Sequence, residues 1–445
     1  MTIEFHDLTY GPQDLARLTA FYHDHYEKEF PDPDERESLE NMVEYLRLRE
    51  EGWYGPNSYH IVLAVRDGSP VGCSVSDYLS EPNVGVIEFL MVLPDARRGG
   101  TGRALLTETE RLLDKDARAG KGIPLGHVIA EVNDPRAPSD VADNLDPVAR
   151  VLIWGRWGYR GLDFPYVQPA LSEGQEPVTN LLLIVKSFPQ ADVVESDTVR
   201  AAVHEYLRWA MRIDDPGSSP EYQDMATYLR EVAHVPTLSL SAYVGLDSPL
   251  RVYDVAGPHD PQLPAVLACY RKAFDGSELA VDEPEFDRAL TEVTGYHLWG
   301  LLYEDGDVVE GMASLFTLET AGLCGYVTLD GQLRGQFRAL VARVECQFLR
   351  DSPTARGWYV ELGMETEPGP FRAVGFAELA VDYRIPRVDA PVRLLYKPFG
   401  RQYGPVRLPA SEVQRTLARI ATVVYGEPAH SVTTSLDGLD FATFC

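Results

Sequence analysis

Apolar residues recur at helical spacing over Asp14–Tyr26 and again over Ser38–Arg49, and the pattern then switches to period two. Tyr59–Arg66 and Pro70–Tyr78 read as two strands around Asp67-Gly68, the composition of a tight hairpin turn. Val84–Val92 is a third strand, His127–Val132 a fourth and Leu181–Val185 a fully apolar fifth. Leu105, Leu106, Thr109, Leu112 and Leu113 mark an amphipathic helix between the third and fourth strands. Asp146-Pro147 supplies a capping carboxylate and a first-turn proline for another. The order ααββ-β-α-β-α-β predicts an α/β fold. Thr198–Met211 and Glu221–Val232 follow as two further helices around a Pro/Gly/Ser-rich loop at 214–220.

The third strand runs through Leu93-Pro94 into Arg97-Arg98-Gly99-Gly100-Thr101-Gly102 and Arg103, where the amphipathic helix begins. Glycines at a helix start let a ligand approach the backbone, and the free N–H groups with the helix dipole make that end an anion site. A pyrophosphate is the ligand this suits. The loop lacks the third glycine of the dinucleotide fingerprint and the Lys-Ser/Thr pair of the Walker pattern. Val92, Pro94, Arg97, Gly100 and Gly102 instead resemble the coenzyme A signature V-x-P-x-x-[QR]-x-x-G-x-[GA] of the GNAT superfamily of acyltransferases.

That resemblance covers about residues 1–190 and implies a fold in which two central strands, here Val84–Val92 and His127–Val132, splay apart around the pantetheine arm. It implies backbone groups of Leu90, Met91 and Val92 beside the thioester, one N–H stabilising the oxyanion. The pyrophosphate would lie on Arg97, Arg98, Gly99, Gly100, Thr101, Gly102 and Arg103, with Asn133 and Trp154 as further contacts. Transfer to an amine calls for a general base. Glu88 stands in the third strand, where alternation places it on the face of Leu90 and Val92. Glu131 matches the L-E-V segment on which ribosomal-protein alanine acetyltransferases carry their base. The family's tyrosine acid is replaced by Trp154, whose indole N–H donates hydrogen bonds but is no useful acid. Tyr159 reads as packing.

Composition narrows the partners. The chain of 445 residues carries a net charge of −28, which repels phosphate backbones and disfavours nucleic acid while attracting cations such as an unreacted amine. No 18-residue apolar run suggests a membrane span, and the acidic N-terminus argues for a cytoplasmic protein. Cys73, Cys269, Cys324, Cys346 and Cys445 have no disulfide or metal spacing and read as buried thiols; no metal is expected. The acidic run Asp32, Asp34, Glu35, Glu37 and Glu40 reads first as a solvated face, with an ammonium-binding groove as the alternative.

The second half echoes the first. Tyr296-His297-Leu298 before Asp305-Gly306 matches Tyr59-His60-Ile61 before Asp67-Gly68, and Gln332-x-x-Gly335-x-Phe337 matches the glycine loop. Phe337 replaces the second glycine, Phe371 stands at the acid's place, and Leu323 falls at the position expected for Glu88. The predicted organisation is a GNAT-like domain at 1–190, a helical connector at 191–248, a degenerate GNAT-like domain at 249–425 and a loose tail at 426–445. The predicted activity is transfer from acetyl-CoA, or another acyl-CoA, to a small cationic amine such as an antibiotic or specialised metabolite. Transfer from a tRNA or carrier protein, transfer to a peptide, and non-catalytic coenzyme A binding are the alternatives. A homodimer is left open.

Overall fold

Asp67 and Gly68 turn the chain as their identities predict: both have positive φ, 51° and 81°, and Arg66 pairs with Ser69 across them. They join β2 (Ser58–Arg66) to β3 (Ser69–Leu79), with β1 (Ile3–Asp7) antiparallel to β2 on the outer side. β4 (Val84–Val92) continues the antiparallel ladder, and β5 (His127–Asn133) lies parallel to β4. The computed structural model describes all residues except 1–2, 31–35, 140–144, 171–175, 380–381, 387, 389, 401–405, 432–435, 437–439 and 444–445. Asp32, Asp34, Glu35 and Cys445 therefore lie outside the described residues.

The chain divides into two compact units, Met1–Asn133 with Asn144–Leu240, and Asp134–Asp143 with Ser241–Cys445. In the first, α1 (Pro12–Phe21) and α2 (Leu39–Glu50) bury Leu18, Phe21, Met42 and Leu46 against Tyr59, Ile61, Val75 and Met91 on one face of the sheet. On the opposite face α3 (Thr101–Lys121) packs Leu105 and Leu112 against Val62, Ala64 and Leu90. The sheet is completed by β6 (Arg160–Leu162) after α4 (Pro147–Arg156), by β7 (Leu181–Ser187), β8 (Val193–Glu195) and β9 (His234–Ser239), in the order β1-β2-β3-β4-β5-β7-β6-β9-β8.

The segment expected as a helical connector, 191–248, belongs to this first unit as far as Leu240 and to the second from Ser241 on. Its two helices form, as α5 (Ser196–Trp209) and α6 (Pro220–Glu231), but they bury Val199, Val203, Met225 and Leu229 in the same core as Val84, Val86 and Ile129. β9 then pairs with β6 through Gly161↔Leu238, covering an edge that would otherwise be open. The boundary at 190 falls inside a continuous sheet.

The second unit contains β10 (Leu250–Asp254), α7 (Leu263–Phe274), α8 (Pro284–Glu292), β11 (Tyr296–Tyr303), β12 (Val309–Thr317), β13 (Gly322–Leu329), α9 (Phe337–Asp351), β14 (Gly357–Gly363), β15 (Ala377–Glu378), β16 (Tyr383–Ile385) and β17 (Ala390–Pro398). Its order β10-β11-β12-β13-β14-β17-β15, with β13 and β14 parallel, repeats β1-β2-β3-β4-β5-β7-β6 strand for strand. The tail is not wholly loose, since β19 (Phe441–Thr443) pairs with β18 (Arg407–Pro409), the latter leading into α10 (Ala410–Arg419). Cys73, Cys269, Cys324 and Cys346 are buried and unpaired, as expected. Among the described residues no helix is long and apolar enough to cross a membrane.

The two units share a polar device. In the first, His60 Nδ1 lies 3.0 Å from Asp7 and Nε2 lies 2.6 Å from Asp116. In the second, His297 lies 2.6 Å from Asp254 and 3.0 Å from Asp351. Burial disfavours a charged His60, but the two carboxylates outweigh it and hold the imidazole at about 9. Hydrogen bonds to Asp254 and Asp351 hold His297 at about 9 as well. Raised histidines stabilise fully below the unfolded value, near 6.5, and the contribution is lost as pH rises through about 9. Denaturant unfolding followed from pH 6.5 to 9.5 should therefore show falling stability, on the order of 3 kcal/mol at the buried His60. The His60→Gln, His297→Gln double variant should lose that slope; an unchanged slope would refute the assignment.

Candidate active site

The glycine loop sits where β4 ends and α3 begins. Gly100 is the N-cap, in the left-handed region at φ 80°, a conformation that favours glycine. No side chain caps the helix and no acidic residue occupies its first turn. The N–H groups of Thr101, Gly102 and Arg103 are the open donors of a 21-residue helix. Gly102 is closely packed: a Cβ there would come 3.1 Å from the Trp157 indole, tighter than an ordinary contact. Arg97 is already engaged, with Nε donating to the Val92 carbonyl and Nη2 to Glu29, each at 2.9 Å. Its charge is thus neutralised in part, and the two contacts tie the loop to Val92 and Glu29. Arg103 donates to the Trp157 carbonyl at 2.7 Å, and exposed Arg98 has φ 66°. Arg66, which the sequence did not single out, donates to the Thr101 hydroxyl at 2.6 Å. Arg66, Pro70, Val71 and Leu93 help line a cavity of about 510 Å³ beside the loop, with Asp24, Lys28 and Glu29 opposite.

β4 and β5 pair from Val84↔His127 to Ile87↔Ala130 and no further, although β4 runs on to Val92 and β5 to Asn133. The strands splay as expected, leaving Glu88, Phe89, Leu90, Met91 and Val92 without a β5 neighbour. On its other side β4 has a bulge: Ile87 pairs with Ser76 and Phe89 with Val75, so Glu88 is the extra residue. This corrects the expected alternation. Leu90 packs on the α3 face, whereas Glu88 interacts with Asp77, which stands opposite Val86 across β3–β4. Asp77 is 2% exposed, and its Oδ2 has no hydrogen-bond partner among the described residues. Burial and the neighbouring Asp77 push the Glu88 carboxyl well up, and burial likewise raises Asp77. Two neighbouring carboxyls, one of them fully buried, favour holding a proton between them.

Residues 18–135 match the acetyltransferase (GNAT) family. The chain carries a GNAT acetyltransferase domain. Similar solved structures include a putative GNAT-family acetyltransferase from Bacteroides thetaiotaomicron, at 18% identity over 47% of this chain and 99% of that one, with a TM-score of 0.34. The PaiA N-acetyltransferase from Thermoplasma acidophilum, solved with coenzyme A, is 15% identical over 42% of this chain and 99% of its own, with a TM-score of 0.28. The ribosomal-protein-S18-alanine N-acetyltransferase from Escherichia coli is 18% identical over 43% and 96%, with a TM-score of 0.27. No curated protein matches the chain.

Within the GNAT domain, Glu131 lies just beyond the last β4–β5 pair, but both of its oxygens are taken. Tyr166 donates its hydroxyl to Oε1, and Tyr206 donates to Oε2 at 2.9 Å. Burial raises the Glu131 carboxyl while the two hydroxyls oppose that. A carboxylate held this way is poorly placed to accept a substrate proton. Asn133, at the end of β5, pairs with Leu181 of β7. Trp154 is buried in an aromatic cluster, edge-on to Trp157 at 5.3 Å and to Tyr159 at 4.7 Å. The Tyr159 hydroxyl donates to Glu110 at 3.2 Å, and Lys186 also binds Glu110. Tyr159 is packing with a satisfied hydroxyl. Tyr166 and Tyr206 went unnoticed in the sequence because 35 and 75 residues separate them from Glu131.

The second unit sorts these features. β13 and β14 also part after Cys324↔Val360, and β13 carries a bulge between its pairs with Leu315 and Ser314. The bulged residue is Gly325, so the counterpart of Glu88 is Gly325 and not Leu323, because strand register replaces a fixed offset. Phe337 packs edge-on against Phe371 at 5.0 Å at the start of α9, where the first unit has open glycines. Yet Glu361 accepts from Tyr383 at 2.5 Å and from Tyr425, reproducing the Glu131 clamp. The tyrosine-held glutamate is common to both units; among the described residues the Asp77–Glu88 pair and the open glycine loop are found in the first alone.

Proposed function

We propose that the first unit transfers an acyl group, most simply acetyl from acetyl-CoA, to the amine of a small cationic molecule. The observation that carries this is one edge of β4 left open beside an uncapped helix N-terminus. The helix start and loop at Arg98–Arg103 would take the pyrophosphate, and Arg97 would hold the loop's shape. Peptide groups of Leu90–Val92 would line the thioester and supply the oxyanion donor. The Asp77–Glu88 pair, through Glu88, accepts the ammonium proton so that the neutral amine attacks; a carboxyl raised above its ordinary range is a stronger base for that task. Net charge −28 and this acidic pair favour a cationic acceptor.

The second unit, with Phe337 against Phe371, is proposed to have no coenzyme A site of its own. Free thiol should appear when the protein is given acetyl-CoA and an accepted amine from a cationic panel. Titration calorimetry with coenzyme A should show one site per chain. Gly102→Val, which drives a side chain into the Trp157 ring, should weaken that binding about tenfold or more, about 1.4 kcal/mol. Two equal sites, or a Gly102→Val protein that binds as tightly as the parent, would overturn this reading.

A further inference from the structure

The loop after α5 carries Arg212 in a left-handed backbone conformation, φ 56°, uncommon for a residue with a side chain. Its guanidinium carbon lies 4.3 Å from the ring centre of Tyr45, 4.7 Å from Trp53 and 5.3 Å from Tyr54. Nη2 donates to the Tyr54 hydroxyl at 2.6 Å. Tyr54 stacks on Tyr59 at 6.2 Å, and Tyr59 stands opposite Asp77 across β2–β3. Among the described residues, Arg212 Nε, the Tyr59 hydroxyl and Asp77 Oδ2 are each buried without a hydrogen-bond partner. Three unmatched polar atoms thus lie on residues joined in this way. Guanidinium keeps its proton under all ordinary conditions, so Arg212 is a fixed cation there.

We propose that Arg212 is a positioning residue for the transfer reaction: caged by three aromatic rings, it sets how readily the Asp77–Glu88 pair gives up its shared proton. The assignment rests on reading Glu88 as the base. Other groups that interact electrostatically with the pair are Tyr26 from the turn after α1, Glu37 ahead of α2, Tyr45 from α2, Tyr54 from the loop before β2, Tyr59 and His60 from β2, and Tyr206 from α5. Burial keeps these tyrosines neutral. Glu37 strengthens proton binding at Glu88. His60, matched by Asp7 and Asp116, weakens proton binding at Asp77, and Arg212 weakens it at both members of the pair. The role also accounts for the chain beyond 190 belonging to the first unit, since α5 delivers this cation.

Infrared difference spectra of the ligand-free protein, titrated with acid, would follow the protonated-carboxyl band that Glu88→Gln removes. In Arg212→Met the midpoint of that band should move up by about one pH unit, and the acidic limb of the kcat profile should move with it. Arg212→Lys, which keeps the charge, should restore both. Tyr54→Phe, which frees the guanidinium without removing it, gives a smaller rise and serves if Arg212→Met fails to fold. A midpoint unmoved in Arg212→Met and Tyr54→Phe would overturn the proposal. If the midpoint moves but wild-type protein acetylates no amine, the role of Arg212 toward the pair stands and the transferase reading falls.

Discussion

Glu88→Gln should lower kcat by about 10²- to 10³-fold and remove the acidic limb of the pH–rate profile. The expectation comes from the bulge, which turns Glu88 toward Asp77 beside the open edge of β4. A base must be deprotonated to act, so with its carboxyl raised the wild-type rate should climb with pH through the pair's upper titration. Asp77→Asn removes the charge that raises Glu88, so it should move that limb to lower pH while leaving substantial rate above it. Arg212→Met is expected to move it the other way, and opposite shifts from two neighbours are hard to imitate by misfolding. Glu131→Gln should cost less than tenfold in kcat, because the carboxylate is spent on two tyrosines. A large loss in Glu131→Gln with a small one in Glu88→Gln would reverse the assignment of the base.

Much of this architecture was legible in the order of residues, and for local reasons. Asp67-Gly68 needs only its own backbone preferences to make a hairpin, and the glycine loop only its own register of Val92, Pro94, Arg97, Gly100 and Gly102. The repeat was legible too, because His60 and His297 recur in matching segments. The same residues then proved to sit between paired aspartates in both units.

The features that escaped are set by pairing across strands or by distant segments. Ile87-Glu88-Phe89 reads as plain alternation, and only its pairing with Val75 and Ser76 reveals the extra residue. That one residue reverses the face of everything after it, which is why Leu90 and Glu88 part company. Asp77 gave no signal, since a lone carboxylate in a strand reads as solvent-facing until its neighbours are known. The fate of 191–240 depended on an open edge at β6 that no local pattern announces. Comparing the two units supplies what a single sequence lacked. A device present in both units, including the one with Phe337 at the loop, fits a structural role, and the one found only beside the open glycines is the candidate for the proposed chemistry.

Arg136→Met should destabilise the second unit by about 3 kcal/mol or more. Glu345 is fully buried in α9 and meets two cations. Arg136 Nε and Nη2 reach its Oε2 at 2.7 and 2.5 Å, and Lys397 Nζ lies 2.5 Å from Oε1. The guanidinium also lies over Tyr243 at 4.8 Å and donates to that residue's carbonyl, while the Tyr243 hydroxyl donates to Asp134 at 2.6 Å. Removing one cation leaves a buried carboxylate half compensated, and that deficit, more than the lost attraction, sets the cost. The argument therefore predicts an ordering. The triple variant Arg136→Met, Glu345→Met, Lys397→Met should be more stable than Arg136→Met alone, because no charge is left stranded. Burial alone would raise Glu345, but Arg136 and Lys397 hold it below the usual carboxylate range. Its contribution is accordingly present above the unfolded value near 4.3 and lost as pH falls through the depressed one. Calorimetry of the full chain at pH 7 and below pH 4.3 reads both effects. A melting transition unmoved by Arg136→Met, or a triple variant weaker than the single one, would show that the ion cluster does not hold this unit together.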